Sequence, residues 1–468
     1  MACASRAAVA AAPRRKVAMR PASVALALML PALACIDRTI ERVVPTPETV
    51  EKKTLPASLN RELDLLFVID NSGSMLQEHD SLEDRFPELI ARLDALGARR
   101  PDLHIGVVTS DMGTGRVNTG DARCNQTGGD GGRMNGASCP ALGGARFLSD
   151  VVGPSGSRVT NYTGALSDAF ACVADVGIDG CGFEQHLASL QAALTEGTNP
   201  GFLRRSATLG VIILADEDDC SADDDALFRL GTDPVIGPFS DFRCFEHGVT
   251  CDPVADPRAP GVRTNCRPRP DSPYLIEVER YAEFLRGLKD DPDRLFVAAI
   301  IGDSDRVEVI ADGTRAGLAP GCTGGLGEAA PGIRLGGLLD AFTGHSHRET
   351  ICTGDLGAAL AAIGDSLVPE SACFGSAPSD RDPIEPGLQP ECAIVEITDP
   401  DTAARAEHPI PRCVDGGARP CWQIVTDPEC TETEEHWKLD LDRGGALAPA
   451  GAYLDVQCVV SIPIPPPG

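Results

Sequence analysis

Four short runs of nearly unbroken aliphatic residues constrain this chain more than anything else in it: Leu63–Ile69, Leu103–Thr109, Leu209–Ala215 and Leu295–Ile301. A strand exposed on one face alternates apolar and polar residues, so unbroken runs of this length read as strands buried on both faces of a parallel sheet. Helical patterns lie between and after them, at Ser81–Leu96, Phe183–Leu194, Tyr274–Leu288 and Leu356–Leu367. Strand alternating with helix predicts the α/β class, a doubly wound and mostly parallel sheet with helices on both faces. The runs close on Asp70, Ser110-Asp111, Asp216 and Asp303, and so deliver carboxylates to the sheet edge where open α/β folds bind ligands. One such Asp starts a turn or caps a helix as often as not. Four at one edge point to a cation.

The first run leads into Asp70-Asn-Ser72-Gly-Ser74. One carboxylate and two hydroxyls on short side chains around a glycine turn make a hard-oxygen set that suits Mg²⁺, with Mn²⁺ or Ca²⁺ as the other choices. Placed after a buried strand and before a helix, Asp70 to Met75 resembles the metal-ion-dependent adhesion site of the von Willebrand factor type A family. The resemblance covers about residues 60–370 and implies a Rossmann-like fold, a divalent metal at the top of the sheet, and protein binding through that metal. It carries the metal-ligand role over to Asp70, Ser72, Ser74 and Asp216. The chain departs from the family in the middle loop, where a Thr is usual and this sequence reads Gly177-Ile-Asp-Gly-Cys-Gly-Phe-Glu184. Either Asp179 supplies the missing oxygen, or a water does, or the site binds metal weakly. Cys181, near the position of the family's Thr, is assigned to a disulfide.

Lys and Arg number 41 against 69 Asp and Glu, for a formal charge of −28, which disfavours phosphate backbones and anionic headgroups as partners. Residues 1–34 differ from the rest: basic residues without an acid, then an apolar stretch from Ser23 to Ala34, the pattern of a signal peptide. Leu30-Pro-Ala-Leu-Ala-Cys35 resembles a bacterial lipobox, which makes Cys35 a lipidation site. A simple secreted form is the alternative. Beyond Cys3 and Cys35 the cysteines number sixteen, ten from Cys124 to Cys352 and six from Cys373 to Cys458, none in a CxxC pair. Even counts in each region predict disulfides confined within regions in an oxidising compartment. Short loops close most easily, which selects Cys124–Cys139 and Cys172–Cys181 as local bridges.

The expected order is a signal peptide over 1–34, a Pro-containing tether over 35–62, the α/β domain over 63–370 and a Cys-rich, β-rich region over 371–468. Long insertions at Asp111–Thr160, Cys220–Ser272 and Gly302–Arg334 either wall the metal edge or serve only as stapled ornament. The run Asp216-Glu-Asp-Asp219 with Asp223-Asp-Asp225 offers a second cation site but lacks the Gly and terminal Glu spacing of an EF-hand, so it reads as a solvated acidic loop. His345-Ser-His347, without a third ligand, reads as surface. The functional expectation is a non-enzymatic binding or adhesion protein of the cell envelope, or secreted, whose metal takes an acidic group of a protein partner; any membrane link runs only through the lipid. The alternative is a metal-dependent phosphoryl-transfer or hydrolytic enzyme with Asp70 as nucleophile. Ser72 stands where such an enzyme wants a second acid, and neither a Gly-x-Ser-x-Gly elbow nor a P-loop is present.

Overall fold

The computed structural model describes residues 48–462 apart from short breaks at 57–61, 95–100, 154–156, 206, 253–255, 290–293, 314, 368–371, 383, 385–386, 399–404, 415–416, 429, 445, 447 and 450–451. The expected signal peptide and Cys35 lie outside the described residues. No helix among them is long and apolar enough to cross a membrane.

A first strand, β1 (Glu48–Pro56), precedes the α/β region. The main sheet then takes β2 (Glu62–Ile69), β3 (Asp102–Thr109), β4 (Leu148–Val152), β5 (Arg158–Thr160), β6 (Thr208–Leu214), β7 (Leu295–Ile301) and β8 (Ser346–Thr350) in the spatial order β8-β7-β6-β2-β3-β4-β5. Strands β8, β7, β6, β2 and β3 run parallel. Strands β4 and β5 add an antiparallel hairpin beyond β3. The α/β class and the mostly parallel sheet follow the expectation.

The helices are α1 (Leu76–Asp94), α2 (Leu166–Ala174), α3 (His186–Leu194), α4 (Phe242–Gly248), α5 (Val278–Arg286), α6 (Ile333–Asp340) and α7 (Gly357–Leu367). Leu65, Phe67 and Ile69 of β2 pack with Phe86 of α1, Phe170 of α2 and Ile363 of α7. Leu66 and Val68 point the other way, to Leu190 of α3, Tyr281 of α5 and Leu338 of α6. Two buried faces leave no exposed register on β2, which is why its sequence does not alternate. The chain leaves β2 for β3 on one side and returns to β6 on the other, so the direction of winding reverses between β2 and β6. Their carboxyl ends flank the crevice that such a reversal opens.

Residues 372–462 form a second sheet around their own core of Phe374, Ile394, Trp422, Leu454 and Val456. Its strands are β9 (Cys392–Thr398), β10 (Ala406–Ile410) and β13 (Tyr453–Ser461), with a separate pair β11 (Cys421–Thr426) and β12 (Trp437–Asp442). The four-stranded order is β1-β13-β9-β10. Strand β1 pairs with β13 antiparallel along its whole length, from Glu48 opposite Ser461 to Pro56 opposite Tyr453. This corrects the tether: over 48–56 it is a strand of the C-terminal sheet. Its polar residues carry no apolar period because pairing with β13, not burial, holds it, and only Leu55 of its apolar side chains enters the core.

All sixteen cysteines are bridged, five bridges within the α/β region and three within the C-terminal region. The absence of a bridge between regions follows the expectation; the local choices do not. The bridges are Cys124–Cys181 and Cys139–Cys172, because the insertion after β3 folds back across the sheet edge onto the loop before α3. Closure entropy rises only by about 0.6 kcal/mol per doubling of loop length, so this folding overrides sequence proximity.

Candidate functional site

Strand β2 ends at Ile69, where the Asp70 amide donates to the Leu214 carbonyl of β6 at 2.9 Å. The loop then tightens: Ser72 N–H donates to Asp70 Oδ1 at 2.7 Å, and the Ser72 and Ser74 hydroxyls lie 2.9 Å apart. His79, one turn into α1, holds the Asp70 carbonyl through Nε2 at 2.6 Å. Across the crevice, Asp216 follows β6, and the Ser74 hydroxyl bonds its carboxylate. Asp70, Ser72, Ser74 and Asp216 are thus brought together, and all but Ser74 are buried.

The middle loop meets the first one closely. Gly180 N–H donates to the Asn71 carbonyl at 2.9 Å, and a Cβ on Gly180 would lie 2.2 Å from Asn71 Oδ1. That contact explains a glycine beside Cys181. Asp179 is exposed and does not line the crevice. Glu184, four residues after Gly180, does. It is 2% exposed, and its Oε1 has no hydrogen-bond partner.

The remaining strand ends are used otherwise. Asp111 Oδ1 accepts from Gly113 N–H at 2.7 Å in a local turn, and Asp303 is exposed. Of the acidic run after β6, Asp223–Asp225 are exposed as expected of a solvated loop, while Asp216–Asp219 are not. Asp218 accepts the Arg334 and Leu335 amides at the start of α6. Asp219 accepts Leu187 N–H at the start of α3 and forms a wholly buried pair with Arg334 at 2.9 Å. These acids fix two helices to the sheet edge through their unsatisfied amides.

Electrostatically the crevice is dominated by carboxyls. Burial, reinforced by the charge of Asp70, pushes the Asp216 carboxyl up to about 8. Glu217 is pushed up to about 7, mainly by burial, while its hydrogen bond with Glu184 works against this and Asp70 adds to it. Burial and the neighbouring Glu217 raise Glu184, and burial with Asp70 raises Glu78. The nearest imidazole is His186, wholly buried, with Nε2 3.7 Å from Asp70 Oδ2. Burial pulls its imidazolium down, but the nearby Asp70, with the charges of Asp219 and Asp218, outweighs burial and leaves it raised. Asp70 Oδ2, Glu78 Oε2, Glu184 Oε1 and Asp216 Oδ1 all lack a partner. A cavity of about 270 Å³ opens beside Ser74, Glu184, Asp216 and Glu217. Oxygen donors without protons to accept, around a serine-rich turn, fit a hard divalent cation.

An Asp-x-Ser-x-Ser turn on the central strand, facing an aspartate across the winding reversal of a parallel sheet, is the arrangement that the family resemblance implied. The fold is von Willebrand factor type A-like. No family model matches the chain, and no curated protein matches it. Among solved structures, a von Willebrand factor type A protein from Catenulispora acidiphila aligns at 10% identity and TM-score 0.28, covering 90% of this chain and 67% of that one. The pilus adhesin SpaC from Lactobacillus rhamnosus GG, in its open conformation, aligns at 10% identity and TM-score 0.29, over 89% of this chain and 42% of its own. The pilus adhesin RrgA from Streptococcus pneumoniae aligns at 10% and 0.27, over 88% and 58%. The chain thus spans about half the length of the two adhesins. Superpositions at this level carry no argument, and the fold rests on strand order and loop chemistry.

Sequence reasoning missed Glu184, Glu217 and His186. Glu184 and Glu217 sit in local patterns that suggest something plainer: an acid just before a helix resembles a cap, and an acid within an acidic run resembles solvated surface.

Proposed function

We propose that this chain is an exported binding or adhesion protein that holds a divalent cation, Mg²⁺ first among the candidates, at Asp70, Ser72, Ser74 and Asp216, and through it captures an acidic side chain of a protein partner. The observation that carries the reading is the pair of buried, unpartnered oxygens, Asp70 Oδ2 and Asp216 Oδ1, set against two hydroxyls 2.9 Å apart. A buried acid short of counter-charge costs several kcal/mol, and His186, 3.7 Å from Asp70 Oδ2, stands against several carboxyls, so the crevice favours an ion supplied from outside. When bound, the ion would supply a Lewis-acid position for an external carboxylate; Asp70 and Asp216 balance its charge and the two hydroxyls add none, so the open coordination position is what draws the ligand.

In the middle loop Asp179 is exposed, and a water is the other candidate for the oxygen that a Thr supplies in the family. Eight disulfides support export to an oxidising compartment, with Cys35 as the proposed lipid attachment. Against the hydrolase alternative, Asp70 is closed from solvent and the next chemical position is Ser72, which cannot serve as a general acid.

Calorimetric titration of the metal-stripped chain with Mg²⁺ and Mn²⁺, on the wild type and on Asp70→Ala, tests the site. Binding by the wild type and none by the variant is the expected result. Equal binding by both puts the ion elsewhere and ends the proposal.

A further inference from the structure

The cavity beside the proposed metal loop has a chemistry of its own. Glu184, Glu217, Asp241 and Glu328 face it, and no lysine or arginine is among its described lining residues. Its apolar wall includes Phe183, Phe242 and Phe245. Aromatic faces and carboxylates attract the same sign of charge. The wall is stapled in place, since the Cys220–Cys244 bridge ties α4 to the loop after β6 and Asp241 accepts the Phe242 amide at the helix start, 2.9 Å away. Phe183, Glu217, Asp241 and Leu318 are shared with a second cavity of about 520 Å³, so the cleft continues outward between the insertions with room for a peptide backbone.

A second bare metal ion does not suit these acids. It would need three or more of their oxygens close together, yet among the described residues the only trio of His, Cys, Asp or Glu ligand atoms is Cys373, Cys430 and Glu432, whose sulfurs are joined in a disulfide. Carboxylates spread around an aromatic-walled cavity suit a larger cation with several N–H donors.

We propose that this cavity receives a basic side chain, a guanidinium or ammonium group presented by a protein partner next to the acid held at the metal. That the bearer is a protein rests on the binding function proposed above; the preference for an organic cation does not. Glu184 Oε1, buried and without a donor, is the atom this group satisfies.

The test uses fluorescent peptides identical except for one central residue, arginine, lysine or citrulline, the last being the neutral isostere of arginine. Anisotropy is read with the full chain, metal-stripped and Mg²⁺-loaded, and Mg²⁺ binding is measured on the same samples. The arginine peptide should bind on the order of tenfold tighter than the citrulline peptide in both states. Glu184→Gln and Glu217→Gln should erase that difference, while Asp70→Asn keeps it. Equal binding of arginine and citrulline peptides by the wild type, or no binding of either, overturns the proposal whatever the variants do. A preference lost in Asp70→Asn but kept in Glu184→Gln places the basic group in the metal loop and also overturns it. An arginine preference in a chain that shows no Mg²⁺ binding supports the cavity and refutes only the metal site.

Discussion

Asp64 and Asp70 stand at opposite ends of the same strand, both wholly buried and each with a histidine nitrogen 3.7 Å away, and the rest of their surroundings differ. Asp64 Oδ2 accepts the Arg204 amide at 2.7 Å and Oδ1 accepts its Nε at 2.8 Å. Lys289 reinforces the pair by donating to the Arg204 carbonyl at 2.6 Å. Burial raises the Asp64 carboxyl, and Arg204 offsets part of that. At Asp70 the chain offers one amide to Oδ1 and to Oδ2 only His186 Nε2, 3.7 Å away and beyond hydrogen-bond distance, and surrounds it with Glu78, Glu184, Asp216 and Glu217. The amino end of the sheet is finished by the chain itself. The carboxyl end is left with an excess of carboxyl oxygens, the feature on which the proposed metal site rests.

The largest effect expected from this contrast belongs to the finished end. Arg204→Met should strand Asp64 without its partner and cost about 3–5 kcal/mol in urea unfolding, while Mg²⁺ affinity stays unchanged. A loss below about 1 kcal/mol would mean that the pair is no more than a surface bridge. At the open end, Mg²⁺ at about one hundred times its Kd should stabilise the wild type by about 2.7 kcal/mol and Asp70→Ala not at all. Identical shifts in the two proteins would erase the distinction between the ends.

The third effect is a pH dependence confined to the metal-free state. Asp216 and Glu217, held up to about 8 and about 7, keep protons that the unfolded chain releases near about 4. The folded state then binds more protons between those values, so metal-free stability should fall as pH rises from about 4 to about 8. Thermal melts of metal-stripped protein at pH 5 and pH 8 read this directly, and a higher midpoint at pH 8 would contradict it. The smallest change is expected from Asp216→Asn, which should raise the metal-free midpoint at pH 8 by on the order of 1 kcal/mol in stability and abolish the gain from Mg²⁺.

The strands that build the crevice were legible because burial on both faces writes itself into composition: β2, β3, β6 and β7 could hardly be read otherwise. Strand β8, Ser346–Thr350, was not, since an edge strand with half-exposed polar side chains shows neither run nor alternation. The turn residues Asp70, Ser72 and Ser74 announced themselves by type and spacing. Glu184 did not, because what marks it is a fold-back of the Cys124–Cys181 loop that no local pattern encodes. The same fold-back defeated the shortest-loop pairing of cysteines. Asp64 was passed over as an interruption in an apolar run, its meaning resting on Arg204, 140 residues away.

The pairing of β1 with β13 makes the α/β domain a guest inserted between one strand of the C-terminal sheet and the rest of that sheet. Any tension between the amino terminus and a partner gripped at the crevice therefore enters at Glu48, leaves at Pro56 and runs lengthwise along β1. Its hydrogen bonds to β13 lie across that line, so they must slide together rather than open one at a time. The strand works as a shear clamp in series with the binding domain, while β9 and β10 sit off the load. Single-molecule pulling from the amino terminus and the crevice should show one extra unfolding event that disappears when Val50 is replaced by proline, and its persistence in that variant would place the load elsewhere.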